Sequence, residues 1–168
     1  MSKRGKKAQL EISFGMIFSI ILIIAFVAVA IYAIMAFLNW QKCAKVGMFK
    51  TELNSEVDRA WKSFGYSYDY SGTLPSDITY VCFGDLSSAK KGTFQQYYDE
   101  IKATSLSKTN MFFIPAKESC DGSRGLEIKN IDIKEITKTN NPYCFKNTNS
   151  KIAIHIEKDA SGSLVMLK

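Results

Sequence analysis

Charge is absent from one long stretch of this chain: residues 12–41, thirty consecutive positions, contain no Asp, Glu, Lys or Arg. At about 1.5 Å of rise per residue, a helix of that length reaches roughly 45 Å, more than the roughly 30 Å hydrocarbon layer of a bilayer. A cleavable secretory signal is excluded, because its apolar region is only about 7 to 15 residues long and ends at a small-residue site. A buried helix in a soluble protein is a poor account too, since hiding so long an all-round apolar helix takes a far larger domain. The stretch is therefore read as a membrane span.

Other scarcities narrow the chemistry. There is one histidine, His155, and none of the four cysteines forms a Cys-x-x-Cys pair, so no Cys-His zinc pattern is available at the usual spacings. No metal site and no cofactor is expected. A Gly-rich phosphate loop is missing, as are internal repeats at the usual periods and low-complexity segments. There is no Asn-x-Ser/Thr sequon, so N-glycosylation is not predicted.

The charge that is present is divided unevenly. Lys3, Arg4, Lys6 and Lys7 with Glu11 give +3, and the remaining 18 basic and 15 acidic residues give the other +3 of the net +6. In the later part lysines alternate with Asp and Glu and no basic run interleaves with aromatics, which removes support for nucleic acid as a partner. A basic cluster before the span places the N-terminus in the cytoplasm and the C-terminal portion outside, and it suits anionic lipid on the cytoplasmic face. Cys43, Cys82, Cys120 and Cys144 all follow the span. In an oxidising space an even count favours two disulfides, with three connectivities open.

After Trp40, an aromatic of the kind that sits at membrane interfaces, apolar residues recur at Val46, Phe49, Leu53, Val57, Ala60, Trp61 and Phe64. Gaps of three and four are amphipathic-helix periodicity. Only Gly47 weakens the join, by about 1 kcal/mol relative to Ala. One helix is predicted from Gln9 to Phe64, about 84 Å if straight.

Residues 65–72, Gly-Tyr-Ser-Tyr-Asp-Tyr-Ser-Gly, are rich in turn formers and read as a loop. Strand-like runs follow at 78–83, 111–114, 126–133, 151–157 and 163–167, and residues 93–103 read as a short helix. In Ile152-Ala-Ile-His-Ile156 the isoleucines share one strand face and His155 takes the other. The expected fold class is α+β: a long transmembrane-plus-amphipathic helix whose outer half covers a small antiparallel sheet. The expected division is a leader over 1–8, a span over 9–41, an amphipathic extension over 42–64 and an extracytoplasmic head over 65–168.

Lys6-Lys-Ala-Gln-Leu-Glu11, the apolar run Ile12-Ser-Phe-Gly-Met-Ile-Phe-Ser-Ile-Ile21 and the amphipathic extension together resemble type IV pilin-like proteins with an archaeal-type class III signal sequence. The resemblance covers about the first 64 residues. It implies a prepilin peptidase cutting between Ala8 and Gln9, and a mature chain held by its helix until it packs into a filament. It also implies that Glu11 pairs with a neighbouring subunit's terminal amine. Here Glu11 is the third mature residue, where many family members have the acid fifth, and Ser13 follows it rather than preceding it. Gly15, Ser19, Ala30 and Ala33 fall within an arc of about 60° at 100° per residue; such small residues allow close helix-helix approach in lipid.

Nothing in the sequence specifies catalysis. His155 stands alone in its strand. Ser88/Lys91 and Ser105/Lys108 match the lettering of a serine-lysine pair without its accompanying motifs. Asp132, Glu135, Glu157 and Asp159 are spaced among lysines and read as a solvated face, and Tyr66, Tyr68 and Tyr70 suit either a recognition surface or a sheet edge. The expectation is a non-catalytic pilin-like subunit, self-associating or joined to related subunits and embedded in the lipid bilayer. The alternatives are an uncleaved anchor presenting a ligand-recognition domain and, third, a membrane-bound hydrolase.

Overall fold

The computed structural model describes residues 14–120 and 125–168. In chain order the elements are α1 (Phe14–Lys62), β1 (Tyr66–Thr73), β2 (Tyr80–Phe83), α2 (Tyr98–Thr104), β3 (Met111–Ile114), α3 (Ile133–Ile136), β4 (Tyr143–Lys146), β5 (Lys151–Lys158) and β6 (Met166–Leu167). Short 3-10 turns occupy Gln95–Tyr97 and Ala116–Ser119. Two antiparallel three-stranded sheets form, ordered β1-β5-β6 and β3-β2-β4. The chain divides into two compact units at Trp40/Gln41.

In the first unit, residues 14–40 are helical and every side chain is exposed. The most apolar 18 residues of α1 average a hydropathy of 3.0, and none of them is buried. By length and composition this segment is able to cross a membrane.

The second unit is an α+β head. Val46, Phe49, Leu53, Val57 and Ala60 of α1 are its buried helical residues, a single stripe of about 80° at 100° per residue. They join one core cluster with Tyr70, Ile152, Ile154 and Ile156 of the first sheet and Val81, Phe83, Met111, Phe113 and Phe145 of the second. Each Val, Leu, Ile, Phe or Met side chain among them, fully buried, stabilises by about 1.5–3 kcal/mol. The expected helix-on-sheet packing is thus present, extended over two sheets. Trp61 and Phe64, expected on the same stripe, are 40% and 89% exposed: Trp61 lies within α1 but about 40° beyond the edge of the stripe at 100° per residue, and Phe64 follows the end of α1 at Lys62, where the chain turns at Gly65, whose φ is +82°.

The β3-β2-β4 sheet is buried on both faces. Its second face contributes Cys82, Phe112, Ile114 and Cys144 to a smaller cluster closed by Ile101 of α2, with Phe94, Tyr97 and Tyr80 packed around it. Two buried faces explain why Met111-Phe-Phe-Ile114 is apolar throughout rather than alternating.

Four expectations are corrected. Residues 65–72 are not a loop: β1 pairs with β5 over eight residues, Tyr66 opposite Lys158 through Thr73 opposite Lys151. Tyrosines with strand preference and a long partner outweigh the turn-forming Gly, Ser and Asp. Residues 126–133 are not a strand. Leu126 bridges Met111, but at Ile128 the partner is a side chain, with Asn110 Nδ2 donating to Ile128 O and Ile128 N donating to Asn110 Oδ1, both at 2.8 Å. That amide ends the backbone ladder, and α3 begins at Ile133 with Asp132 accepting from Glu135 N. β4 was unforeseen, four residues between turn-forming asparagines, and the 163–167 run shrinks to β6. Residues 93–103 form a 3-10 turn before α2 rather than one helix.

Candidate functional site

Two surfaces carry the functional candidates: the bare apolar half of α1 and the outer face of the β1-β5-β6 sheet. On the first, Gly15, Ser19, Ala30 and Ala33 are helical and exposed, and Ser19 Oγ donates back to Gly15 O at 2.8 Å, which satisfies the hydroxyl within the helix. Ala8, Gln9 and Glu11, the expected processing and pairing residues, lie outside the described residues.

Where the head begins, two attachments hold α1. Cys43 is disulfide-bonded to Cys120 and Lys42 pairs with Asp77. The hydrogen bond from Lys42 is the main reason the Asp77 carboxyl lies below its ordinary range. The second disulfide, Cys82–Cys144, joins residues directly opposite each other in β2 and β4. All four cysteines are therefore paired, in one of the three open connectivities. At its far end α1 has its last carbonyls capped: Lys158 Nζ donates to Trp61 O at 2.6 Å and to Ser63 O at 2.8 Å, a cation at the negative end of the helix dipole.

The tyrosine series divides by depth. Tyr70 and Tyr66 reach the helix, donating to Glu52 at 3.3 Å and Glu56 at 2.9 Å, and burial first, then these carboxylates, push both phenols above their usual range. Tyr68 lies between them, exposed, its ring 6.3 Å from that of Tyr66.

The opposite face of the same strand holds a grouping the sequence did not disclose. His155 stands across from Asp69 in the β1–β5 register, its Nδ1 2.6 Å from Asp69 Oδ1, and Ser67 Oγ is 3.5 Å from its Nε2. The reading of His155 as alone is corrected; only the pairing of β1 with β5, 86 residues apart at this pair, brings the three together.

The other candidates have structural roles. Asp132, Glu135, Glu157 and Asp159 do gather, lining a groove of about 420 Å³, but Asp132 caps α3, Glu135 pairs with Lys138 at 2.9 Å and Glu157 pairs with Lys168. Among the described residues no group of three or more His, Cys, Asp or Glu is placed to hold a metal ion. Ser88 Oγ donates to Asp85 at 2.7 Å and Ser105 Oγ to Lys102 O at 3.0 Å, so neither serine is directed at the lysine three residues on. Asp85 is organised by Asn141, whose buried side chain accepts from Asp85 N at 3.0 Å and donates to Asp85 O at 2.8 Å and Ala89 O at 3.1 Å.

No family model, no curated protein and no solved structure matches this chain.

Proposed function

We propose that this chain is a pilin-like, membrane-anchored subunit of a cell-surface filament or envelope assembly, with its N-terminus cytoplasmic and its disulfide-bonded head outside. The observation that carries the reading is the continuity of α1. One helix of 49 residues passes from a stretch with every side chain exposed to a stripe that forms part of the head core. A simple anchor has no need of that second half. In the proposed assembly the apolar halves leave lipid and bundle, exchanging lipid contact for helix-helix packing through positions such as Gly15, Ser19, Ala30 and Ala33. Glu11 sets register where a cation meets it at the lipid boundary. The partners are the bilayer, further copies or related pilin-like subunits, and a prepilin peptidase that cuts between Ala8 and Gln9. The role of the head in this reading is mechanical.

The test is intact mass and N-terminal sequencing of the protein from native membranes, without reduction. The expected product starts at Gln9 and is four hydrogens lighter than its all-thiol form, as two disulfides require. A chain that keeps its leader through Lys7 overturns the pilin-like reading and leaves a permanent anchor presenting its head to a ligand.

A further inference from the structure

The outer face of the β1-β5-β6 sheet is polar and open, and its centre is the Ser67, His155, Asp69 group. His155 Nδ1 is 2.6 Å from Asp69 Oδ1 and its Nε2 3.5 Å from the Ser67 hydroxyl; in the tautomer whose Nδ1 donates to the carboxylate, Nε2 is the acceptor facing Ser67. That is the order of contacts an activated serine requires: nucleophile to base, base to an orienting carboxylate. The Ser67 contact is longer than the roughly 2.6–3.2 Å of a proton-transfer hydrogen bond, as is common before substrate binds. Asp69 is 90% exposed and the His155 side chain 34% exposed, so the group faces solvent. Ala153 and Ser71, facing each other across the same sheet, are small.

The backbone supplies a second element. His155 N donates to Lys168 O at 2.8 Å and Lys168 N to His155 O at 2.9 Å, so the peptide groups of His155 point towards β6. In an antiparallel ladder hydrogen-bonded and non-hydrogen-bonded pairs alternate, so the Asp69/His155 pair is non-hydrogen-bonded. The N–H groups of Asp69 and, two residues away, Ser67 then point off the other side of β1, which is an edge of its sheet. Two residues of extended strand set those N–H groups about 6.5 Å apart, too far for both to reach one oxygen, so at most one of them can meet a developing oxyanion.

We propose that Ser67, His155 and Asp69 form an acyl-transfer site that cleaves small carboxylic esters reaching the head from solvent. The Ser67 hydroxyl adds to the ester carbonyl carbon and its proton passes to His155 Nε2. The adduct expels the alkoxide, which takes that proton and departs as the alcohol. Water then adds to the acyl-serine, giving its proton to Nε2, and the acid leaves as Ser67 Oγ is reprotonated. Asp69 acts as a positioning residue, holding the imidazole tautomer and orientation. With no acyl pocket, selectivity rests on ester reactivity and small size.

The test treats the full chain in detergent with a fluorophosphonate probe, followed by peptide mapping, and separately with p-nitrophenyl acetate. The expected result is an adduct on Ser67, absent in Ser67→Ala, with labelling and ester turnover about a hundredfold lower in His155→Gln and an intermediate loss in Asp69→Asn. Each variant is checked by intact mass for both disulfides. Failure of the wild-type chain to label at Ser67 overturns the proposal, and so does labelling that proceeds unchanged in His155→Gln, the behaviour of an ordinary surface hydroxyl. Neither outcome bears on leader cleavage or filament assembly.

Discussion

The ring of Phe49 occupies the space a side chain at residue 72 would need: a Cβ on Gly72 would stand 2.5 Å from Phe49 Cδ2 and 2.8 Å from the Tyr70 hydroxyl. Helix and strand approach this closely because Gly72 has no side chain, and Phe49 fills the gap while meeting the Tyr70 ring at 5.9 Å. Gly72→Val is expected to destabilise the head by about 1–3 kcal/mol through overpacking. A urea midpoint followed by tryptophan fluorescence of the full chain in detergent checks it; an unchanged midpoint contradicts the packing described.

Asn141 gives a second prediction, of polar origin. Its fully buried amide satisfies the backbone of Asp85 and Ala89, so Asn141→Ala leaves several buried groups unpartnered at about 1–3 kcal/mol for each one that water cannot reach. The expected loss exceeds that of Asn140→Ala, whose side chain holds the exposed Thr93 N at 2.9 Å. Comparing the two midpoints in one denaturant decides it.

Asp85 connects this region to pH. Burial is the largest single influence and raises its pKa, but the hydrogen bonds from Ser87 and Ser88 together outweigh it and hold the carboxyl below its ordinary range. A depressed folded pKa gives stability that is complete above the unfolded value, about 3.9, and is lost as pH falls through the lower folded value. Stability should therefore fall on acidification below about pH 4, and less steeply in Asp85→Asn. Unfolding curves between pH 2 and 6 measure the difference; identical acid limbs would remove Asp85 from the account.

The apolar half of α1 gives a prediction about medium. Ile24→Lys places a charge in the middle of the exposed apolar helix, opposing insertion by about 2.5–3.5 kcal/mol at a helix centre. A larger carbonate-extractable fraction is expected, whereas Thr51→Lys, on an exposed turn of α1 in the head, should leave extraction unchanged.

What the sequence disclosed depended on the range of the signal. Val46, Phe49, Leu53, Val57 and Ala60 repeat at helical spacing, so the buried stripe is readable from local order alone. Met111-Phe-Phe-Ile114 and Ile152-Ala-Ile-His-Ile156 are equally local. β1 is not, because Tyr-Ser-Tyr-Asp-Tyr-Ser becomes a strand only by pairing with residues 151–158. The same pairing makes the Ser67, His155, Asp69 group, which no spacing of letters announces. The Leu126–Ile133 misreading is the converse: a strand-like run was denied its ladder by one side-chain amide, Asn110. Disulfide connectivity was closed to sequence for the same reason, since the Cys82–Cys144 partnership follows from the β2–β4 register.

The Cys43–Cys120 bond also determines how the chain carries tension. Its two ends are 77 residues apart in sequence, a length that would extend to about 260 Å if drawn out at 3.3–3.6 Å per residue. A pull applied along α1 reaches Cys43 and crosses by a covalent bond to Cys120. The intervening helix, β1, β2 and β3 are bypassed and cannot be unravelled by load entering from the N-terminal side. For a subunit at the base of anything dragged by flow or by a moving cell, that shortcut keeps the segment between Cys43 and Cys120 from being drawn out like a spring.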